Sequence, residues 1–253
     1  MKLRNLLAAT LLAVATVASA SQPKVVAHRG YWRAPGSAQN SIASLVKADS
    51  IGCYGCELDV WLSTDGVLFV NHDDKFKGHV IQESSSAELN SIILDNGEKM
   101  PTLDEWLAKA KTLKTKIILE LKEHATEAQE TEAVTKIVDA VKRYGLEKRT
   151  EYISFSLFAC KEFKRLAPRR TPVYYLNGEL SPAELKELGF AGLDYHISVV
   201  KNHTDWIEAA HKLKLKVNIW TIDKPEDMQW LIDNKVDFIT TNEPVVLQNL
   251  LKK

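Results

Sequence analysis

Three short charged clusters in this 253-residue chain could carry chemistry, because each interrupts an apolar, β-rich run. One joins a histidine to an arginine, one holds two carboxylates two positions apart, and one holds a carboxylate and a lysine two positions apart. Side chains two apart in a strand point to the same side. Another histidine follows the second cluster on the returning limb of a predicted hairpin. The candidate residues are His28, Arg29, Glu57, Asp59, His72, Glu120 and Lys122.

Side chains of these types are suited to binding and cleaving a phosphoryl group. Three carboxylates at one strand edge repel one another unless a cation lies among them, and oxygen ligands without cysteine favour Mg²⁺ or Ca²⁺. Two histidines can divide the roles of general base and general acid. An arginine offers a planar pair of donors to phosphate, and a lysine adds a second positive charge.

Each candidate also has a structural interpretation. Glu57 with Lys122, or Asp59 with Arg29, could form a salt bridge at the end of a strand. Taken singly, either interpretation is reasonable for each residue. The coincidence of all seven at three strand ends favours a functional site, because buried charge is costly without a role.

The elements that would position these residues follow a repeating pattern. Eight short β-rich runs alternate with helix signals, including capping patterns at Ser181 and Asp223. Repeated β-α units predict an α/β fold with a parallel sheet, and eight units in about 230 residues indicate a closed (β/α)8 TIM-type barrel. An open doubly wound sheet is the alternative, but no glycine-rich dinucleotide loop supports it. The predicted strands are 24–28, 56–60, 116–122, 151–155, 173–176, 192–197, 216–222 and 236–240.

A β-hairpin excursion is predicted after the second strand. The segment 64–66 reads Thr-Asp-Gly between two β-rich runs, and Asp-Gly is a strong hairpin signal. With Asp-Gly as a two-residue loop, Asp59 would pair with His72, and both would share a face with Glu57. Barrel enzymes build their sites at the carboxyl ends of the strands, so we expect the three clusters and His72 to meet there.

Composition favours a globular protein with a small-molecule substrate. Lys+Arg and Asp+Glu each total 33, so the formal charge is zero, and 45% of the residues are hydrophobic. Binding nucleic acid requires a basic surface, which argues against a nucleic-acid partner. The sequence carries no signal for an oligomeric state.

The first twenty residues are typical of a secretory signal peptide. Lys2 and Arg4 precede an apolar run, and residues 18–20 read Ala-Ser-Ala, an A-x-A cleavage pattern. The run is too short for a stable membrane span. We therefore expect residues 1–20 to be removed and 21–253 to form a single exported domain, periplasmic or secreted, without a stable membrane anchor. A retained N-terminal anchor is the alternative.

Cys53, Cys56 and Cys160 are expected to be packed thiols or to include a local disulfide. A redox C-x-x-C motif usually opens a helix, whereas Cys56 leads into a strand. Further ligands at zinc-site spacing are not evident.

The ordered motifs resemble those of the glycerophosphodiester phosphodiesterase family, within the phosphatidylinositol-phospholipase-C-like superfamily. The resemblance covers residues 24–250 and departs from the family in the P-E-N-[ST] segment. There the chain has Ala38 in place of the proline and Gln39 in place of the glutamate, which removes a negative charge. The matching motifs are H-R-G at 28–30, E-x-D-V at 57–60, a D-G turn at 65–66, H-D at 72–73, E-x-K at 120–122 and further matches at 154–155, 220–221 and 241–244.

The resemblance implies metal-dependent hydrolysis of glycerophosphodiesters to sn-glycerol 3-phosphate and an alcohol. Tyr31 and Trp32 could form one wall of the pocket. By the resemblance, Glu57, Asp59 and Glu120 would hold one divalent cation (Ca²⁺ or Mg²⁺), His28 and His72 would be the general acid/base pair, Arg29 and Lys122 would bind phosphate, and Trp220 would flank the glycerol or phosphate pocket.

The sequence leaves two alternative functions open. A phospholipase-D-like or phosphoinositol-type phosphodiesterase could use the same barrel, although a lipase would be expected to carry an apolar rim for docking on a bilayer. A noncatalytic exported module that binds phosphodiesters is the alternative from a different class, and Gln39 is its only support.

Overall fold

Eight parallel strands close into a barrel in the computed structural model, which describes residues 22–252. The predicted signal peptide, residues 1–20, lies outside the described residues. In chain order the elements are β1 (Lys24–Ala27), α1 (Ile42–Ser50), β2 (Gly55–Leu62), β3 (Leu68–Val70), β4 (Lys75–Phe76), β5 (His79–Val80), α2 (Ser86–Leu89), α3 (Leu103–Lys111), β6 (Lys116–Leu121), α4 (Glu127–Tyr144), β7 (Thr150–Ser154), α5 (Leu157–Leu166), β8 (Val173–Tyr175), α6 (Pro182–Glu187), β9 (Gly192–His196), α7 (Ile197–Asn202), α8 (Asp205–Lys212), β10 (Lys216–Trp220), α9 (Pro225–Asp233), β11 (Phe238–Thr241) and α10 (Pro244–Leu250).

The strand order confirms the predicted (β/α)8 barrel. Strand β1 pairs in parallel with both β2 and β11, which closes the ring β1-β2-β6-β7-β8-β9-β10-β11. All eight predicted barrel strands are present, and helices follow them around the outside.

Alternation along each strand separates an outer apolar layer from the barrel interior. In β6, Ile117, Leu119 and Leu121 belong to the large core between the strands and the helices. Ile118 instead packs inside the barrel with Ile153 and other inward-facing side chains. Glu120 shares the inward parity of Ile118 and lies one residue before the carboxyl end of the strand. The apolar pattern of the strand therefore brings this carboxylate to the barrel mouth.

The hairpin after β2 is present, but its predicted register is wrong by one residue. Ser63 N–H donates to Val67 O at 2.9 Å, so the loop contains three residues rather than two. Gly66 in this loop has φ +78°, which suits a three-residue hairpin ending in a left-handed residue. Asp59 consequently lies opposite Asn71, whose N–H donates to Asp59 O at 3.0 Å, and not opposite His72.

The excursion that follows β3 forms its own small core. Trp61 and Phe69 from the hairpin pack with Ile81, Leu89 and further apolar side chains up to Met100. This packing holds the segment beside the barrel mouth. His72 lies in it, immediately after β3, and reaches the mouth from outside the ring of strands.

One of the two capping patterns is confirmed and the other is wrong. Ser181 and Glu184 form a capping box at the start of α6. At α9 the N-cap is Lys224, which makes no side-chain cap. Asp223 instead accepts two hydrogen bonds from Asn242.

The three cysteines are buried free thiols, which agrees with the packed-thiol interpretation. Burial raises the pKa of Cys53 to about 12, so its thiol stays protonated near neutral pH. Within residues 22–252, none of the helices combines the length and apolar character needed to cross a bilayer.

Candidate active site

The turn after β1 directs the backbone N–H and the side chain of Arg29 toward the carboxylates. Arg29 and Gly30 both have positive φ, at +55° and +76°. A side chain at Gly30 would collide with Ser44, since an added Cβ would lie 2.3 Å from Ser44 Oγ. Glycine is therefore required at this close approach. The resulting turn lets Arg29 N–H donate to Glu57 Oε2 at 2.7 Å.

Glu57, Asp59 and Glu120 meet at the mouth of the barrel. They are 3%, 1% and 8% exposed, and each offers a ligand atom within 4.8 Å of the others. Asp59 and Glu120 are register partners in the neighbouring strands β2 and β6. Lys122 Nζ lies 2.7 Å from Glu120 Oε1 and 3.4 Å from Asp59 Oδ1. The predicted cluster of three carboxylates is thus present and shares one lysine.

Burial and mutual repulsion set the charge of these carboxylates. Burial, followed by the charges of Asp59 and Glu120, raises the pKa of Glu57 well above its ordinary value. Burial and Asp59 raise the pKa of Glu120 to about 7. Burial also acts to raise the pKa of Asp59, but Lys122 and other positive neighbours hold it below its ordinary value.

The carboxylate cluster fits a divalent cation. Glu57 Oε1 is buried and has no hydrogen-bond partner among the described residues. Buried acceptors without a partner are costly. Carboxylate oxygens are the ligands that Mg²⁺ and Ca²⁺ prefer. A bound cation would give this oxygen a partner and would remove the repulsion that raises the pKa values.

His28 is oriented by an amide that directly follows the last strand of the barrel. Its Nδ1 lies 2.9 Å from Asn242 Oδ1, which also accepts from Trp32 Nε1 at 2.8 Å. The N–H and Nδ2 of Asn242 both donate to Asp223 at 2.9 Å. With its nitrogen facing Asp223, Asn242 can only present oxygen to the histidine. Nδ1 of His28 is therefore the donor, and Nε2 is left to accept a proton.

Burial and the neighbouring Arg29 lower the pKa of His28 to about 4, so the ring is neutral at pH 7. His72 has a different partner, because its Nδ1 lies 2.7 Å from Asp73 Oδ1. It is 36% exposed. Thus an amide orients His28 and a carboxylate orients His72. The carboxylate can balance a positive charge on the ring of His72.

The mouth contains two cavities, and His72 lines both. The inner cavity has a volume of about 120 Å³ and extends into the barrel. The outer cavity, about 570 Å³, lies between the segment 32–40 and the segment 71–76. His28 lines only the inner cavity, so the two histidines occupy different positions along a path from the solvent to the interior.

Seven of the eight predicted site residues line the inner cavity. Asp59 is the exception; it lies beneath the others, where Asn40 Nδ2 donates to its Oδ2 at 2.9 Å. Of the two loop aromatics, Trp32 lines the outer cavity, whereas Tyr31 packs against the core. The seven are His28, Arg29, Glu57, His72, Glu120, Lys122 and Trp220.

Sequence reasoning missed the side chains that support the site residues. Asn40, Asp223 and Asn242 each contact a site residue or its partner. Asn40 and Asn242 lie inside motifs that carried the resemblance, which was the available signal. Gln39, the departure from the family pattern, accepts a hydrogen bond from the guanidinium of Arg29.

Comparison with known proteins assigns the family. Residues 28–246 match the family described as Glycerophosphoryl diester phosphodiesterase family. The chain belongs to this family. Membership of this family assigns the chain to the enzymes that hydrolyse glycerophosphodiesters.

Similar proteins agree with this assignment along nearly their whole length. A crystal structure of a glycerophosphodiester phosphodiesterase from Parabacteroides distasonis is 51% identical, with a TM-score of 0.91, covering 92% of this chain and 98% of that one. A glycerophosphodiester phosphodiesterase from Caldanaerobacter subterraneus is 28% identical, covering 90% of this chain and 98% of the relative. An Oleispira antarctica phosphodiesterase, solved in complex with the product sn-glycerol-3-phosphate, is 27% identical with a TM-score of 0.77, covering 92% and 98%.

Metal binding should depend on pH in a direction that the raised pKa values determine. Glu120 ionises near 4.5 when unperturbed and near 7 in the folded, metal-free protein. A raised carboxyl pKa stabilises the folded state at low pH, and this contribution is lost as the pH rises from 4.5 to 7. We expect Mg²⁺ or Ca²⁺ to raise the Tm of EDTA-treated protein more at about pH 8 than at about pH 5.

Scanning fluorimetry of the wild type and of Glu120→Gln measures this difference. The variant keeps the volume of the side chain but removes its ionisation, so its metal-induced shift should be small at both pH values. Equal shifts for the wild type at both pH values would contradict the role of Glu120.

Proposed function

We propose that the enzyme hydrolyses glycerophosphodiesters to sn-glycerol 3-phosphate and an alcohol, using one divalent cation, Mg²⁺ or Ca²⁺. The observation that carries the proposal is the buried cluster of Glu57, Asp59 and Glu120 beside a cavity that Glu57, Glu120 and two histidines line. The Oleispira antarctica relative, solved with sn-glycerol-3-phosphate, supports the choice of product.

Two side chains and the cation would receive the phosphate. Glu57, Asp59 and Glu120 would hold the cation, which when bound would polarise a phosphoryl oxygen and offset the charge of the phosphodiester. Arg29 and Lys122 line the same cavity and would bind the remaining phosphoryl oxygens. Gln39 is neutral, so it orients the guanidinium of Arg29 without neutralising it.

The different surroundings of the two histidines support different roles. His28 is neutral, with Nε2 free, so it would take the proton from the attacking oxygen. That oxygen belongs either to water or to the glycerol hydroxyl next to the ester. His72 borders the outer cavity, where the leaving alcohol has room, and would donate a proton to the leaving oxygen. Asp73 would keep the ring of His72 oriented.

Purified enzyme should release sn-glycerol 3-phosphate from glycerophosphocholine, and EDTA or Glu57→Ala should abolish the release. His28→Ala and His72→Ala should each lower kcat by about 10²-fold or more, because each removes a proton-transfer group. A coupled assay for sn-glycerol 3-phosphate gives the rates, and calorimetry should show metal binding retained in both histidine variants. His203→Ala is the matched control, since His203 is exposed and lines neither cavity.

Three outcomes would count against the proposal. A full rate in either histidine variant would remove that residue from the mechanism. Binding of glycerophosphodiesters without turnover would favour the noncatalytic module. Preference for intact phospholipid over glycerophosphocholine would favour a lipase.

Asn242 should act as a positioning residue for His28. Asn242→Ala removes the acceptor at Nδ1 and should lower kcat by about 10-fold or more with little change in KM, because the ring loses its orientation. Asn242→Asp keeps an acceptor but adds a carboxylate, which raises the pKa of His28. A base must be unprotonated, so the acid limb of kcat/KM should move to higher pH.

The pH profiles of kcat and kcat/KM for the two Asn242 variants measure these effects. Asn202→Ala is the control, since Asn202 is exposed at the end of α7. If the acid limb in Asn242→Asp stays where it is in the wild type, the amide does not act through His28.

We propose that the protein is exported, on the basis of the basic start, apolar run and A-x-A pattern in residues 1–20. Expression of the full chain in a bacterial host should yield a product in the periplasm or medium that begins at Ser21. Cell fractionation and N-terminal sequencing give the answer. Full-length protein recovered from the cytosol would refute export.

A further inference from the structure

The inner end of the inner cavity is polar, but its polar residues are not those assigned to the cation, the phosphate or proton transfer. Asp194, Asn218 and Thr240 lie mid-strand on β9, β10 and β11, and all three line this cavity. They are 2%, 6% and 4% exposed. Asp194 and Asn218 are register partners. The three side chains therefore form one layer inside the barrel, below the charged mouth.

Hydrogen bonds within this layer leave one atom available. Asn218 Nδ2 donates to Asp194 Oδ1 at 2.8 Å and to Thr240 Oγ1 at 2.9 Å, which uses both of its hydrogens. Thr240 Oγ1 lies 3.1 Å from Asn218 Oδ1 and donates to it. Among residues 22–252, only one carboxyl oxygen of Asp194 is hydrogen-bonded, through Asn218. Because Asp194 lines the inner cavity, its second oxygen is available to a ligand group.

Burial favours the neutral form of Asp194, because it raises the pKa of this carboxyl well above its ordinary value. A protonated carboxyl can donate one hydrogen bond and accept another. A hydroxyl has both complementary functions.

Apolar side chains form the rest of the cavity wall and restrict the ligand further. Ile153, Leu176, Phe155 and the ring of Trp220 are apolar and line the same cavity. The charged side chains are confined to the mouth, where the phosphate and the cation would bind. An ionised group deeper in the cavity would find no counter-charge, which makes its burial costly. The whole cavity, about 120 Å³, must also receive the phosphate, so its inner end leaves room only for a short, uncharged tail that ends in a hydroxyl.

We propose that Asp194, held by Asn218 and Thr240, binds the terminal hydroxyl of the glycerol moiety. The glycerol then points into the barrel, and the leaving alcohol lies in the outer cavity beside His72. This inference rests on the proposed hydrolysis of glycerophosphodiesters and adds to it the orientation of the substrate and the group that selects glycerol.

The substrate itself provides the first test. Wild-type enzyme is compared on glycerophosphocholine and on the matched phosphodiester in which propane-1,2-diol replaces glycerol. The analogue keeps the hydroxyl next to the ester and lacks only the terminal one. A hydroxyl that satisfies a buried polar group is strongly discriminated, so kcat/KM should be about 10²-fold lower for the analogue.

Variants then assign the discrimination to Asp194. Asp194→Ala should lower kcat/KM for glycerophosphocholine and leave the analogue nearly unchanged, which brings the ratio of the two toward one. Asp194→Asn keeps a donor at the same place and should retain the preference. Glu151→Ala is the matched control, because it truncates another carboxyl inside the barrel that does not line the inner cavity.

The outcomes separate this inference from the proposed function. If the wild type cleaves neither substrate, the proposed function fails. If it cleaves both with equal kcat/KM, the enzyme is a phosphodiesterase and the hydroxyl site is wrong. A variant at Asp194 that changes the preference among leaving alcohols, and not the preference for glycerol, would overturn the orientation. The comparison on the wild type decides even if Asp194→Ala does not fold.

Discussion

Repulsion among three buried carboxylates is the constraint on which the site depends. At low dielectric, neighbouring negative charges are costly unless a positive group compensates them. The chain supplies Lys122 and Arg29 and an amide donor from Asn40, yet Glu57 Oε1 has no hydrogen-bond partner within the part of the chain that the structure describes. The remaining imbalance favours a cation, and with the cation the site attracts an anionic phosphodiester. Catalytic chemistry and stability are thus coupled through the same charges.

The barrel allows this concentration of charge because its strands separate two environments. Outward-facing side chains form the main core with the helices, while inward-facing positions near the carboxyl ends are free of that packing requirement. The histidines illustrate the result. His28 directly follows the first barrel strand and is held from just beyond the last, whereas His72 comes from the excursion outside the ring. His28 lines the inner cavity alone, and His72 lines both cavities.

The fold and most site residues could be predicted from sequence because their signals are local. Continuous apolar runs identified the strands, and carboxylates spaced by two, such as Glu57 and Asp59, identified an inward face. The register of the hairpin could not be read in the same way, since Asp-Gly is compatible with loops of two or three residues. The left-handed Gly66 resolves this only in the folded chain.

Contacts between residues distant in sequence account for the other roles that could not be predicted from the sequence. Asp223 precedes a helix and was expected to cap it, but the folded barrel places it against Asn242. Asn242 in turn contacts His28, which is 214 positions away. A local pattern carries no information on such pairs. The same limit applies to Asp194, whose role depends on Asn218 and Thr240 from two other strands.

Closure of the ring between β1 and β11 has a consequence for biosynthesis. The amide that orients His28 is carried just beyond β11, so the proposed base is assembled only after translation has passed the final barrel strand. A polypeptide that ends before this strand would carry Glu57, Asp59 and Glu120 but would lack the acceptor that orients His28. Under the proposed mechanism, hydrolysis would therefore require the closed ring.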